Sequence, residues 1–345
     1  MTAPTIKVDL RSDTVTKPTP GMLEAMMNAE VGDDVFGEDP SVNHLEQQCA
    51  QIFGSEAGIF CPSGTMTNQI GINVLSNPYE EVICYKDSHI YKYEGGGVSA
   101  NSGLSIKLLS GDRGRISLED VLANINPDDI HYPVSSIVSL ENTVNKGGGS
   151  YYTLADIARL SEGSREKGLK VHLDGARVFN ALVETGDAPS SYGQYFDTIS
   201  VCLSKGLGAP VGSVLVGKKE YIKKARRMRK AFGGGMRQAG FLAAAGIYAL
   251  NNHVNRLKED HIRARAIAEG LRNLGFVSSI MPVDTNILIF ELAEGITTEH
   301  FLAKLEDKDI YAVAFGPREI RMVTHLDFDD DMLTYTIDAL KKLSV

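Results

Sequence analysis

Short apolar runs alternate with segments of helical spacing between residues 20 and 217 of this chain. Several of the runs carry apolar residues on both faces, which is typical of strands that helices cover on both sides of a sheet. The alternation therefore predicts an α/β fold with a mainly parallel, seven-stranded sheet flanked by helices. The predicted strands are, in chain order, AGIFC, EVICY, SIKLL, SSIVSLE, LKVHLD, TISVCLS and GSVLVG.

The pattern changes in the last third of the chain. It is helical from about residue 218 to 274, and beyond Gly275 short strands and helices follow one another. This change predicts a small α+β C-terminal domain. We place the large domain at residues 1–250 and the small domain at residues 251–345. A chain of 345 residues, of which 43% are hydrophobic, is long enough for a large and a smaller domain.

Charge and composition exclude several classes of partner. The chain has 35 basic and 44 acidic residues, and the resulting net charge of −9 has the wrong sign for a nucleic-acid binder. The basic run KKARRMRK (223–230) is best interpreted as a solvated helix face. The apolar stretch FLAAAGIYAL (241–250) is too short to span a bilayer, and the N-terminus lacks an apolar signal core. We therefore expect no nucleic-acid or membrane partner.

The four cysteines are scattered, with no CxxC pair and no histidine at zinc spacing. This usage predicts neither a disulfide framework nor a metal site. It fits a reducing compartment, so we expect a cytoplasmic protein.

Two charged residues follow predicted strands. Asp174 comes at the end of LKVHLD and Lys205 just after TISVCLS, at the carboxyl edge where open α/β sheets gather ligand contacts. Taken singly, Asp174 is also a fitting helix cap, and Lys205 a surface lysine. Together they suit pyridoxal phosphate, which needs a lysine for a Schiff base and a carboxylate at its pyridine nitrogen.

A phosphate site is indicated by CPSGTMTN, where a strand leads through Ser63, Gly64 and Thr65 into a helix. Free backbone N–H groups at a helix N-terminus bind phosphate, although an ordinary capped helix start has the same sequence. Neither GxxxxGK[ST] nor GxGxxG occurs, which disfavours nucleotide binding by the usual loops. His89 is a candidate to lie against the pyridine ring, or else a structural histidine.

A set of motifs resembles the low-specificity L-threonine aldolases, which are fold-type I pyridoxal phosphate enzymes. The motifs run in order over nearly the whole chain: DLRSDTVTKP (9–18), GDDVFGEDP (32–40), SGTMTN (63–68), DSHI (87–90), DDIHY (128–132), SLENT (139–143), HLDGAR (172–177), SKGLGAPVGS (204–213), GGGMRQAG (233–240) and RMVTHLD (321–327). The resemblance implies cleavage of L-threonine and L-allo-threonine to glycine and acetaldehyde by a retro-aldol step.

The resemblance also implies roles for residues around the cofactor. Lys205 would form the Schiff base, Asp174 would pair with the pyridine nitrogen and His89 would stack on the ring. The phosphate-binding residues would be Gly64 and Thr65, joined by Arg237 and Lys230 of a neighbouring subunit. The family resemblance therefore predicts a homotetramer whose active sites lie at subunit interfaces.

A second group of implied roles concerns the amino-acid substrate. Ser12, Arg177 and Arg321 would hold its carboxylate, and Arg177 would also contact the cofactor. His131 would lie near the β-hydroxyl. The imidazoles of His131 and His89 both titrate near neutral pH, so either suits the base. Our hypothesis is that His131 contacts the hydroxyl and that His89 mainly stacks.

Two positions depart from the family pattern. Val144 stands where many relatives have histidine, and Phe36 stands where they have tyrosine, so any hydrogen bond of those side chains is lost here. An alternative function is that of a related pyridoxal phosphate lyase, acting on phenylserine-type substrates or by β-elimination. A non-catalytic binding protein on the same fold would be expected to have lost Lys205 or Asp174, and both are present.

Overall fold

The computed structural model describes residues 8–344, whose strands form three sheets. The seven-stranded sheet has the order β2-β8-β7-β6-β5-β3-β4, the four-stranded sheet β12-β13-β10-β9, and the two-stranded sheet β1-β11. The strands are β1 (Val8–Asp9), β2 (Ala57–Cys61), β3 (Glu80–Tyr85), β4 (Ser105–Leu109), β5 (Val134–Glu141), β6 (Lys170–Gly175), β7 (Thr198–Cys202), β8 (Ser213–Gly217), β9 (Val277–Ile280), β10 (Ile287–Leu292), β11 (Ile310–Tyr311), β12 (Val313–Ala314) and β13 (Glu319–Val323).

Between residues 20 and 217 the helices alternate with the strands of the large sheet, as predicted. The α-helices are α1 (Pro20–Met27), α2 (Pro40–Ile52), α3 (Gly64–Leu75), α4 (His89–Lys92), α5 (Gly97–Ser102), α6 (Leu118–Ala123), α7 (Leu154–Glu166), α8 (Val178–Thr185), α9 (Lys219–Ala231), α10 (Gly240–Asn252), α11 (Leu257–Leu271), α12 (Thr298–Glu306) and α13 (Asp330–Lys341). Short 3-10 helices span Asp13–Val15, Asp34–Phe36 and Pro189–Ser191. Within residues 8–344, no helix combines the length and apolar character that crossing a bilayer requires.

The large sheet confirms the predicted fold class. Its strands run parallel except for β8, which is antiparallel to both β2 and β7. Successive residues face opposite layers: Ile59 belongs to a hydrophobic cluster that includes residues of α3, α5 and α9, whereas Phe60 belongs to one that includes residues of α2, α7, α8 and α10. Each fully buried side chain of this size contributes about 1.5–3 kcal/mol of transfer free energy. The sheet is therefore a rigid base whose carboxyl edge can hold polar groups in place.

The C-terminal part contains the predicted small α+β unit, with β9, β10, β12 and β13 in one antiparallel sheet. Its hydrophobic cluster runs from Ile267 to Leu340 and also includes Val8 and Leu10 from the start of the chain. Strand β1 pairs with β11 of this unit. The boundary between residues 250 and 251 remains our proposal, and the N-terminal strand packs with the C-terminal unit.

A buried ion pair fixes the segment that follows β1 against the large sheet. Nε and Nη2 of Arg177 donate to the two carboxylate oxygens of Asp13, each at 2.7 Å, and Asp13 is 0% exposed. Nδ2 of Asn286, in the C-terminal unit, donates to the same carboxylate at 3.3 Å. Burial alone would raise the pKa of Asp13, but the charge and hydrogen bonds of Arg177 outweigh it and hold that pKa well below its ordinary value.

We predict that Asp13→Ala lowers the free energy of unfolding by about 3–5 kcal/mol, because it leaves a buried guanidinium without a partner. Since the pKa of Asp13 is lower in the folded protein than in the unfolded chain, the pair's contribution is complete above pH ~4 and is lost as the pH falls further. Urea unfolding at a series of pH values should therefore show the difference from wild type shrinking below that pH.

The matched control is Glu269→Ala, which breaks the exposed pair between Glu269 and Arg272. An exposed pair of this kind is worth less than about 1 kcal/mol. If Asp13→Ala were no more harmful than this control, the ion pair would not be what anchors the N-terminal segment.

Candidate active site

A cavity of about 480 Å³ lies at the carboxyl edge of the large sheet, facing the C-terminal unit. A second cleft, of about 470 Å³, includes Lys170 at the start of β6 and so lies at the opposite edge. Ligands of open α/β sheets bind at the carboxyl edge, so the first cavity is the candidate site. Its lining residues are Ser12, Thr14, His89, Tyr93, Asn145, Lys146, Arg177, Lys205, Val313, Ala314, Phe315 and Arg321.

Lys205 reaches this cavity from the turn that follows β7. Its backbone oxygen accepts hydrogen bonds from the Gly208 N–H at 2.8 Å and from Thr16 Oγ1 at 3.2 Å. Gly208 has φ +79°, and a Cβ there would meet Leu326 at 2.8 Å, so the turn requires glycine. The glycines around Lys205 thus shape the backbone that aims this side chain into the cavity.

Asp174 lies on β6, 2% exposed, and its two carboxylate oxygens are held separately. Oδ1 accepts the Ala176 N–H at 3.1 Å, and Oδ2 accepts Nδ2 of Asn68, on α3, at 2.9 Å. The Asn68 oxygen lies 3.2 Å from Nε2 of His172. Burial lowers the pKa of His172 to about 4, so its imidazole is neutral at pH 7. A fixed set of donors therefore orients the carboxylate.

His89 is oriented by a second buried carboxylate. Its Nδ1 lies 2.9 Å from Oε1 of Glu94, which also accepts from Nδ2 of Asn68 at 2.8 Å. Burial would lower the pKa of His89, but the hydrogen bond with Glu94 and the charge of Asp174 give a net raised value. Because Glu94 holds the proton on Nδ1, Nε2 of the neutral ring is an acceptor. A ring nitrogen of His89 and carboxylate oxygens of Glu94 and Asp174 lie within 4.8 Å of one another.

Glu141, at the end of β5, connects two loops that border the cavity. Its Oε2 accepts the His89 N–H and its Oε1 the Asn145 N–H, both at 2.8 Å. It pairs in register with Asp174 on the adjacent strand. Burial and the negative charge of Asp174 raise the pKa of Glu141 to about 7. One carboxylate thus positions both the histidine and the asparagine that contacts Arg321.

Arg321 enters from β13 of the C-terminal unit. Nη1 donates to Oδ1 of Asn145 and Nη2 to the Arg11 oxygen, both at 3.0 Å, while its Nε is buried without a hydrogen-bond partner. Burial and the neighbouring positive charge of Arg177 lower its pKa to about 10. A half-buried guanidinium with an unused donor is suited to an anionic ligand. Ser12 also lines this side, its Oγ accepting from Thr14 Oγ1 at 2.9 Å.

The first turn of α3 offers a separate anion site. Ser63 caps the helix by accepting the Met66 N–H at 3.2 Å, and Gly64 and Thr65 form the first turn. Oγ1 of Thr67 lies 2.7 Å from Oγ of Ser200 on β7, which ties this turn to the sheet. A Cβ at Gly64 would come no closer than 3.9 Å to Cys202. The helix N-terminus therefore has the backbone donors and the dipole direction that phosphate prefers.

Other predicted site residues lie away from the cavity of their own chain. The His131 side chain is 79% exposed and its Nδ1 lies 2.7 Å from Asp129. Arg237 is 53% exposed at its side chain and donates to both oxygens of Asp33, at 2.9 and 3.2 Å. Lys230 is exposed on α9. One chain thus brings together Ser12, His89, Asp174, Arg177, Lys205 and Arg321, but neither His131 nor Arg237.

The residues that hold these groups were not predicted from the sequence. Asp13, Asn68 and Glu141 lie in the motifs DLRSDTVTKP, SGTMTN and SLENT, respectively, but none of them had a predicted role. Glu94 is five residues beyond His89, which is neither helical nor strand spacing. The sequence feature that could have identified the first three is a carboxylate or amide residue inside a motif that already contains a predicted ligand-contacting residue. Lys146, which also lines the cavity, follows SLENTVN and had no signal of its own.

Comparisons with known proteins identify the family to which this chain belongs. The family model of the beta-eliminating lyases matches residues 9–295. The low specificity L-threonine aldolase of Escherichia coli K12 is 44% identical over 328 residues, covering 94% of this chain and 96% of that protein. The probable low-specificity L-threonine aldolase 2 of Arabidopsis thaliana is 42% identical over 343 residues, 97% of each.

The fold is also shared with a solved structure. Leishmania major threonine aldolase superposes with a TM-score of 0.86 at 21% identity, covering 97% of this chain and 99% of that one. This likeness confirms the predicted fold, and the two closer relatives confirm the resemblance on which the residue roles rest. The chain belongs to the beta-eliminating lyase family and, within it, to the low-specificity L-threonine aldolases.

Proposed function

We propose that this protein is a pyridoxal phosphate-dependent aldolase that cleaves L-threonine and L-allo-threonine to glycine and acetaldehyde. The observation that carries the proposal is a cavity that contains two lysines, two arginines and a histidine beside the buried Asp174. Family membership supports it, because the similar proteins that are named act on threonine.

The residues present fit the cofactor. Lys205 supplies an amine, Asp174 a buried carboxylate with a fixed orientation, and the first turn of α3 a site for a phosphate. Pyridoxal phosphate, when bound, withdraws electrons from the substrate's Cα and so makes the bonds to that carbon easier to break. His89, held by Glu94, is the residue that we assign to its ring face.

The chain's own residues select the bond. Arg321, with its unused Nε, and Arg177, whose Nη1 takes no part in the pair with Asp13, bind the substrate's carboxylate in a forked arrangement. Fixing the carboxylate holds the Cα–Cβ bond in one orientation. Ser12 adds a hydroxyl on the same side of the cavity. The β-hydroxyl proton goes to an imidazole, for which we propose His131, with Nε2 of His89 as the second acceptor.

We also propose a homotetramer whose sites are completed across subunit interfaces. Exposed apolar side chains lie on α1 and on the segment that follows it, which includes Asp33, the partner of Arg237. They are Leu23, Met27, Val31, Val35 and Phe36. A second exposed group flanks His131: Ile130, Tyr132 and Val134. Contiguous exposed apolar groups are typical of protein–protein interfaces. Such an interface gives His131, Arg237 and Lys230 a route into a neighbouring chain's site.

We propose further that the protein works in the cytoplasm, in the breakdown of threonine. All four cysteines are buried and free, which supports a reducing compartment.

The first prediction concerns activity. Holoenzyme should release acetaldehyde from both L-threonine and L-allo-threonine, and Lys205→Ala should release none above the uncatalysed rate, because its side chain has no amine for the cofactor. A coupled alcohol dehydrogenase assay measures the aldehyde. Lys167→Met, at an exposed lysine after α7, serves as the charge-matched control. Release of benzaldehyde from phenylserine without acetaldehyde from threonine would reassign the substrate.

The second prediction concerns the base. His131→Ala should lower kcat for both threonine diastereomers by about 100-fold or more, the usual contribution of a positioned acid–base group. His131→Gln keeps a polar side chain and should not restore kcat. Unchanged cleavage of both diastereomers by His131→Ala would show that the base lies elsewhere.

The third prediction concerns shared sites. Lys205→Ala and Arg237→Ala chains, each nearly inactive alone, should regain activity when co-expressed, because a mixed interface contains one site with both wild-type residues. Co-expression of Lys205→Ala with Arg177→Ala is the control, since these residues line the cavity of one chain and no mixed site is intact. Complementation in neither mixture would mean that Arg237 serves its own chain.

A further inference from the structure

The candidate cavity has an unbalanced charge. Its lining includes the cations Lys146, Arg177, Lys205 and Arg321, and it includes neither aspartate nor glutamate. Among the ion pairs within residues 8–344, Arg177 has a carboxylate partner, Asp13, while the other three cations have no carboxylate oxygen within 4.0 Å. The cavity is therefore built for more than one negative charge.

Two of the three unpaired cations have a place in the proposed function. Lys205 is the cofactor's lysine, and Arg321 meets the substrate's α-carboxylate. Lys146 has none. Its ammonium donates to the Phe315 backbone oxygen at 2.8 Å and lies 3.6 Å from the centroid of that ring. An ammonium group has three donors, so this backbone contact leaves two of them for a ligand.

Phe315 places Lys146 close to Arg321. The Arg321 guanidinium carbon lies 4.7 Å from the centre of the same ring, so the two cationic groups are at most about 8 Å apart. A four-carbon dicarboxylate that accepts a hydrogen bond at each end spans roughly this distance. Partial burial, moreover, lowers the pKa of Lys146.

We propose that Lys146 binds a second carboxylate, carried on the substrate's β-carbon, and that the enzyme therefore also cleaves β-hydroxy-α-amino dicarboxylic acids. The inference rests on the proposed aldolase function and extends its substrate class. For 3-hydroxyaspartate the Cα–Cβ bond breaks, the hydroxyl loses its proton, and a carbonyl forms at the former β-carbon. Cα takes up a proton, so the products are glycine and glyoxylate, with no oxidant or reductant consumed.

A binding experiment tests the contact without catalysis. L-Aspartate has the second carboxylate but no β-hydroxyl, and L-asparagine is its neutral isostere. Calorimetric titration of the holoenzyme should give aspartate a Kd at least about tenfold lower than that of asparagine, as expected for a hydrogen-bonded charge pair. Lys146→Met should abolish this preference, Lys146→Arg should keep most of it, and Lys167→Met should leave it intact. Equal Kd values in the wild type would overturn the proposal.

Kinetics separate this role from a simpler one. Lys146→Met should lower the ratio of kcat/KM for 3-hydroxyaspartate to kcat/KM for threonine by about tenfold or more. If both values fell by the same factor, Lys146 would be a ligand of the α-carboxylate and the proposal would be wrong. If Lys146→Met is poorly folded, Lys146→Gln provides the neutral variant. Acetaldehyde release from threonine by the wild type reports on the aldolase function independently, so the two ideas fail in different ways.

Discussion

The buried pair of Asp13 and Arg177 joins the parts of the molecule that make the site. Arg177 follows the carboxyl end of β6, Asp13 belongs to the N-terminal segment, and Asn286 adds a contact from the C-terminal unit. Breaking such a pair is costly because either charge alone is stranded away from water. The pair therefore fixes the segment that carries Ser12 and places one arginine where a second, Arg321, arrives from the opposite side.

Behind the cavity, the polar groups form one connected network. Asn68 donates to both Asp174 and Glu94, and its oxygen faces the neutral His172. Both amide hydrogens of Asn68 have a defined acceptor, so the network has little freedom to rearrange. As a result, the Asp174 carboxylate and the His89 ring are oriented before any ligand binds, which lowers the reorganisation needed for chemistry.

The positions of Asp174 and Lys205 follow from the topology of the sheet and were predictable from the sequence. Asp174 and Lys205 each follow a buried strand, and carboxyl ends of parallel strands share one edge of a sheet, so their proximity was predictable. The roles of Arg177 and Arg321 came only from the family resemblance. The hydrogen-bond partners of these groups could not be predicted from the sequence, because Asp13 and Arg177, for example, are 164 residues apart along the chain. Pattern and propensity describe neighbours along the chain, whereas such pairs are fixed by the packing of distant elements.

His131 and Arg237 are exposed, and the partners that would fix their positions in the proposed function lie in another chain. Both bind an acidic neighbour in their own chain, Asp129 and Asp33, and both adjoin exposed apolar side chains. An exposed ion pair contributes little to the free energy of folding, so His131 and Arg237 could leave these partners for contacts with another chain at little cost in free energy. In the proposed function, a single chain supplies the lysine assigned to the cofactor and the two arginines assigned to the substrate's carboxylate. If the proposed residues of an adjoining chain complete the site, the activity would depend on assembly and therefore on the apolar area that the proposed interface would bury.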